Sequence, residues 1–521
     1  MFESPHPPVE IPETSVFDLL FADLTDAERE HPALVDGASG AAITYGELVD
    51  RSSALAGALA ARGFGPGDVI ALHSPNVPAF AIAFHGILRS GASATTVNAI
   101  MNAAEIGKQL ADSKATMLLT VSPLAPQALE AAAATGIPAE RIVVLDGLDG
   151  HASLADLLGE GHPAPEVRFD PATHVAVIPY SSGTTGNPKG VMLSHRNLVA
   201  NVAQCVSLID VRAEDRVIAV LPFFHIYGMT VLLNIALKQR ATLVTMPRFD
   251  LAEFLRIIQD EAITFAFIAP PVAVALAKHP LVDQYRHDAL HTVLSGAAPL
   301  DEALGLAVAD RLGVEVLQGY GMSEASPVTH VTPRGSGLPL TSSGPTIPSM
   351  QSKLVDIETG AEIAMPAEGV SEPGELWVRG PNVMLGYLNN AEATAATIDT
   401  DGFLHTGDIA RVDAAGNVMI VDRLKELIKY KGYQVAPAEL EALLLTSPDV
   451  ADAAVIGVPD EGAGEIPKAF VVRTSESVTP ESVMAFVDER VSPYKRVRAV
   501  EFIDAIPKSA AGKILRKDLR G

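Results

Sequence analysis

Six short apolar runs, DVIALHS, ATMLLTV, RIVVLDG, DRVIAVLP, QRATLVTMP and ITFAFIAPP, recur between residues 68 and 271, often with helical patterns between them. Strands buried on both faces read as continuous apolar runs, and a parallel pair needs a crossover, usually a helix. The pattern therefore predicts α/β architecture with parallel sheets rather than a helical bundle or a sandwich. No fixed-period repeat interrupts it. Residues 14–36 read as a helix and turn, and ALVDGASGAAITYGELVDRSSALAGALAARG as strand, turn, strand and helix. Thr44 precedes that helix with Glu47 three residues on, a capping-box arrangement. FAIAFHGILRSG reads as an apolar helix, too short to span a bilayer.

Around residue 340 the texture changes. KLVDIETG, GELWVRG and GNVMIVDR are short strand candidates between glycine turns, which predicts a β-rich subdomain over about 340–424. Beyond it, PAELEALLLTS reads as a helix with Pro437 near its start, ADAAVIGVP and PKAFVVR as strands, and SVMAFVDERV as a helix. The expected organisation is a large multi-subdomain N-terminal domain over 1–424 and a small α/β C-terminal domain over 425–521. A chain of 521 residues is long enough for both.

Charge and cysteine usage narrow the function. A formal charge of −25 leaves no broad positive surface for a nucleic-acid backbone. From Lys495 onward, however, eight Lys or Arg face three acids, so the C-terminal unit could meet an anionic ligand. The single cysteine, Cys205, excludes an internal disulfide and a cysteine-cluster zinc site. The start MFESPHPPVEIPE lacks a signal-peptide pattern, and DLRG carries no lipidation or peroxisomal signal, so a cytoplasmic location without stable membrane insertion is expected. Oligomeric state is not readable from these features.

Residues 181–190, SSGTTGNPKG, look built to hold phosphate. Gly183, Gly186 and Gly190 permit close backbone approach, and the hydroxyls of Ser181, Ser182, Thr184 and Thr185 could join backbone N–H groups around phosphate oxygens. Lys189 could add a mobile positive charge. A Walker A loop needs Lys followed directly by Ser or Thr, and here Gly190 follows. The stretch is not a P-loop, and a solvent loop at a strand end would also fit its composition.

The segment PYSSGTTGNPKGVMLSH occurs with GYGMSE (319–324), GELWVRG (374–380), HTGDIA (405–410), DRLKELIKYKGYQVAPAELE (422–441) and PKSAAGKILRK (507–517). This ordered set resembles the adenylate-forming superfamily, in its acyl-CoA synthetase branch and most closely the 4-coumarate:CoA ligase group. The resemblance runs from about residue 15 to the end. It implies a small C-terminal domain that is mobile, and a reaction using ATP, Mg2+ and coenzyme A to pass a small carboxylic acid through acyl-AMP to a thioester. Anions must be brought together in both halves, so positioning and electrostatics should dominate.

The resemblance also implies residue roles. The loop holds the β- and γ-phosphates, Glu324 binds the metal, and Ser323 stands where the family usually has Thr at the α-phosphate. Asp408 grips the ribose hydroxyls, and Arg423 is a second ribose or phosphate contact. Gln318, Gly319 and Tyr320 form the adenine side, Gly321 belongs to the nucleotide site, and Ala297 and Ala298 lie on the adenine and acyl side of the pocket. Lys513 pairs with the carboxylate and α-phosphate oxygens. His225 in FFHIYG gates the acyl pocket, and Tyr227 forms its wall. Lys425 is the hinge, Lys429 and Gln434 face AMP in one domain orientation, and Lys431 with Gly432 helps form the CoA tunnel.

The acid is less constrained than the chemistry. Hydroxycinnamates are the first expectation, with medium-chain fatty acids as the alternative; a catalytically silent nucleotide-binding scaffold or a carrier-loading enzyme would share several motifs. The sequence departs from the plant ligases at Trp377, where that group has Cys, and at Arg248, where Lys is usual.

Overall fold

The computed structural model describes residues 1–181, 188–431, 433–460, 462–509 and 512–520. Among the described residues the strands fall into four sheets. Two eight-stranded sheets carry the predicted α/β pattern. In the first, Ser93–Val97, Val69–His73, Met117–Thr120 and Ile142–Val144 run parallel in that order. In the second, Pro32–Asp36, Thr242–Thr245, Arg216–Ala219, Phe265–Ile268, Thr292–Ser295 and Glu315–Gly321 form a parallel series. Their apolar residues are almost wholly buried, as expected for strands covered on both faces.

Local signals place the helices. Thr44 and Glu47 form the expected reciprocal capping box at the start of Tyr45–Ala61, satisfying N–H groups that the helix leaves unpaired. Pro78 occupies the first turn of Pro78–Ser90, and Pro437 that of Pro437–Leu445, where a missing N–H costs nothing.

A six-stranded antiparallel sheet contains Gln351–Val355, Gly374–Arg379, Leu404–Val412 and Val418–Arg423. Its edge includes Phe2–Glu3, paired with Ser352 and Gln351. The β-rich segment after residue 340 thus recruits the chain's first residues, which the sequence reading left outside it. A fourth, five-stranded sheet holds Ile428–Tyr430, Tyr433–Val435, Val450–Asp460, Gly464–Arg473 and Ala499–Phe502. Between the third and fourth sheets runs the short connection that carries Lys425. Asp422, at the end of the third sheet, accepts the Ala438 N–H at 2.9 Å, and Lys278 donates to the Leu445 carbonyl at 2.8 Å. Both contacts cross between the large and small parts of the chain.

Candidate active site

Open α/β sheets present ligands with the carboxyl ends of their strands. Here Phe265–Ile268, Thr292–Ser295 and Glu315–Gly321 end side by side, delivering Ala269, Gly296–Ala297 and Tyr320–Ser323 to one region. A cavity opens there, lined by His225, Tyr227, Gly296, Ala297, Tyr320 and Ser323 among others. Its inner wall is apolar, with Ile209, Val231, Leu294 and Val331. Lys513, from the other end of the chain, lines the same cavity.

Lys513 is delivered by a tight turn. The Ser509 N–H donates to the Lys513 carbonyl at 2.8 Å, and the Lys513 N–H returns to Ser509 Oγ at 3.1 Å. Gly512 sits at φ +80°, and a Cβ there would come 3.2 Å from Ala269 Cβ and 3.3 Å from Pro271 Cδ. Glycine therefore serves both the left-handed backbone and the close approach to the large domain. Burial pulls the Lys513 ammonium down to about 8, with Arg423 adding repulsion and Asp408 and Glu324 opposing it. A cation so placed is electrostatically undercompensated and suited to receive anions.

Two carboxylates face this cation. Asp408 is buried, accepts from the Tyr320 hydroxyl at 2.5 Å and lies 3.5 Å from Arg423 Nε, its cross-strand partner. Burial lifts its pKa above the ordinary carboxylate value, against the lowering influence of Arg423. Glu324 is buried in the turn Ser323–Ala325, where its Oε1 accepts from Ser181 Oγ at 3.1 Å and from the Tyr387 hydroxyl at 2.9 Å. The base of the phosphate-type loop is an antiparallel pair, with Ser181 opposite Lys189 and Tyr180 opposite Gly190. Lys189 Nζ rests 4.7 Å from the Tyr387 ring centroid. Ser182, Gly183, Thr184, Thr185 and Gly186 lie outside the described residues, as does Gly432.

Along the cavity wall, the Tyr227 hydroxyl donates to the Leu294 carbonyl at 3.4 Å, and a Cβ at Gly296 would lie 2.8 Å from Tyr227 Cζ. Tyr227 opens the helix Tyr227–Asn234, whose wider π-type turns the sequence pattern did not reveal. His225 Nδ1 accepts the Tyr227 N–H at 3.3 Å, and burial followed by the nearby Lys513 charge pulls the imidazole down to about 3. It is neutral at ordinary pH.

The structure distributes the remaining sequence candidates unevenly. Gly319 and Gly321 line the cavity. Gln318 does not present its amide there: Oε1 accepts from the Leu300 N–H, and Nε2 donates to the carbonyls of Leu300 and Leu340. Its side chain braces the wall from behind. Ala298 is half-buried and follows Ala297, which takes φ +72°. Lys429 and Gln434 pair across an exposed hairpin of the C-terminal sheet, and Lys431, at φ +49°, lies exposed near its tip. In this domain arrangement these hairpin residues are not among those lining the cavity. Tyr387 is the functional candidate the sequence reading missed. Its signal was a Gly-Tyr pair shortly after GELWVRG, in a strand too short to stand out.

Glu324 fits a hard divalent cation in one way. Among the described residues no group of three or more His, Cys, Asp or Glu side chains could hold a metal alone. Magnesium commonly uses one or two carboxylates and takes its other ligands from substrate phosphates and water. A single buried carboxylate at the base of a phosphate-type loop matches that donor set.

Comparison with known proteins agrees with this geometry. The family described as AMP-binding enzyme matches residues 21–388, and the AMP-binding enzyme C-terminal domain matches residues 439–513. A 4-coumarate–CoA ligase 5 from Oryza sativa subsp. japonica is 42% identical, with 100% of this chain and 97% of that protein covered. Among solved structures, ATP-bound MatB from Rhodopseudomonas palustris superposes with a TM-score of 0.87 at 29% identity, covering 98% of each chain. The anthranilate CoA ligase AuaEII in complex with anthranoyl-AMP gives 0.88 at 27% identity, covering 98% of this chain and 97% of that one.

Proposed function

The chain belongs to the AMP-binding enzyme family, and from that membership we propose that it is an ATP-dependent carboxylic acid:CoA ligase acting on 4-coumarate or a related hydroxycinnamate. In the first half-reaction a carboxylate oxygen attacks the α-phosphorus of ATP, the bond to pyrophosphate breaks, and acyl-AMP forms. In the second, the CoA thiol gives up its proton, sulfur attacks the acyl carbonyl, and AMP leaves. The observation that carries this reading is the entry of Lys513 into a cavity shared with His225, Tyr320 and Ser323.

The charges fit the first half. Acid and ATP repel one another, and an ammonium between their oxygens offsets that repulsion in a partly closed site. Asp408 accepts from the ribose hydroxyls, with Arg423 beside it. Tyr320 and the glycines flanking it wall the adenine, Ser323 meets the α-phosphate, and the loop from Ser181 to Lys189 holds the departing pyrophosphate. Glu324 would hold Mg2+ with the phosphates, where the ion would neutralise phosphate charge. Neutral His225 orients the acid without adding a second cation, and Tyr227 packs along it.

The second half requires a different domain arrangement. Lys429, Lys431 and Gln434 are exposed while Lys513 occupies the cavity. Rotation near Lys425 would withdraw Lys513 and bring the hairpin, with Gly432, to the site as part of the CoA passage. Reorientation of this kind completes one site twice. The demand for ATP and CoA together favours a cytoplasmic location; among the described residues no helix is long and apolar enough to cross a membrane.

A panel of acids tests the substrate, with cinnamates set against saturated fatty acids of graded chain length. Faster CoA-thioester formation with 4-coumarate supports the reading. Preference for alkyl acids overturns the hydroxycinnamate assignment, and no thioester from any acid overturns the ligase itself.

A further inference from the structure

Tyr387 lies at a junction that no role above absorbs. It belongs to the two-residue strand Gly386–Tyr387, which pairs with Val191 and Met192 on the strand leaving the phosphate-type loop. Three backbone bonds stitch this segment in place. The Leu385 N–H donates to Met192 at 3.0 Å, the Leu388 N–H to Gly190 at 2.8 Å, and the Met384 N–H to the Glu324 carbonyl at 2.9 Å. The segment therefore joins the loop strand directly to the turn bearing Glu324. Tyr387's own N–H is taken by Thr394 Oγ1 at 2.9 Å, and its ring is buried.

Its two functional ends address opposite charges. The hydroxyl donates to Glu324 Oε1 at 2.9 Å, while the ring face lies 4.7 Å from Lys189 Nζ. An aromatic face attracts a cation, and a phenolic O–H stabilises and aims a carboxylate. The Ser181 hydroxyl donates to the same Glu324 oxygen at 3.1 Å, and partners behind a metal ligand commonly set its geometry.

We propose that Tyr387 is a positioning residue for the ATP·Mg2+ unit, its hydroxyl aiming Glu324 and its ring seating the ammonium of Lys189. The proposal rests on the reading of Glu324 as the metal carboxylate. It makes one side chain touch both the metal ligand and the loop cation before the nucleotide arrives.

Tyr387→Phe removes the hydroxyl and keeps the ring, whereas Tyr387→Leu removes both. Calorimetric titration with Mg·ATP should show the Phe variant binding about tenfold more weakly, as expected when a hydrogen bond to a charged group is lost. The Leu variant should bind more weakly still. The electron paramagnetic resonance spectrum of Mn·ATP bound to the Phe variant should differ from that of wild type, and the half-saturating Mg2+ concentration should rise. The KM for the acid and the rate of thioester formation from supplied acyl-adenylate should stay unchanged, which a general packing defect would not allow. In a Glu324→Gln background the Phe substitution should lose most of its effect. Wild-type binding and spectrum in Tyr387→Phe, or an equal effect of that substitution without Glu324, would overturn the proposal. Failure of wild-type enzyme to bind Mg·ATP would instead overturn the underlying function.

Discussion

The Tyr320 hydroxyl donates to Asp408 Oδ2 across 2.5 Å, joining a strand of the second parallel sheet to the antiparallel sheet beside it. Two sheets thereby share one buried carboxylate, the one proposed above to accept from the ribose hydroxyls. Asp408→Asn keeps the shape but loses the charge. It should raise the KM for ATP by about tenfold or more, the cost of a hydrogen bond to a charged group, with the KM for the acid nearly unchanged. Initial rates with each substrate varied separately measure the split.

Lys513 should act in one half-reaction only. Lys513→Ala should reduce acyl-AMP formation by about a hundredfold or more, comparable to removing an electrostatic stabiliser from other active sites. Thioester formation from supplied acyl-adenylate and CoA should stay within a few-fold of wild type. Equal losses in both halves would assign Lys513 to general architecture.

The same lysine predicts a pH limb. Burial lowers its pKa to about 8, and the proposed role in adenylation needs the charged form. As pH rises through about 8, free enzyme loses the proton and kcat/KM for adenylation should fall. Above that limb the loss should approach tenfold per pH unit, and Lys513→Arg should move the limb upward. His225 is neutral down to about 3, so it should add no limb between pH 5 and 8.

Gly296 controls the space available to Tyr227. A Cβ at this position would lie 2.8 Å from Tyr227 Cζ and 2.9 Å from its Oη, so Gly296→Ala must displace the ring. Both residues line the cavity, so moving the ring reshapes its wall. The variant should lower kcat/KM for 4-coumarate by about tenfold or more while leaving smaller aromatic acids less affected, a discrimination within the range that pocket shape supplies. Steady-state kinetics with acids of graded length checks this.

How much of this was legible beforehand differs by element. The apolar parallel strands and the capped helix Tyr45–Ala61 announced themselves because burial on two faces and end-capping leave local signatures. Glu324, Asp408 and Lys513 are likewise named by their motifs, although only folding brings the two carboxylates within electrostatic reach of a lysine that is 189 positions from Glu324 in the chain. The strands that carry the site were harder. Glu315–Gly321 ends in Gly319, Tyr320 and Gly321, which line the cavity, and this run erodes the strand signal. Pairing of Phe2–Glu3 with Gln351–Ser352 is wholly non-local. The motif sets Gln318 on the adenine side, and no local pattern shows that its amide is taken by the backbone groups of Leu300 and Leu340. The placement of the Lys429–Gln434 hairpin away from the cavity depends on domain orientation, which no local pattern encodes.

The central claim is that this chain activates an acid by transferring AMP to it. Exchange of labelled pyrophosphate into ATP, measured with Mg2+ and 4-coumarate but without CoA, isolates that step. Exchange should require the acid and be lost in Lys513→Ala, and AMP rather than ADP should appear when CoA is then added. Acid-independent exchange, or turnover that releases ADP and phosphate, would contradict it.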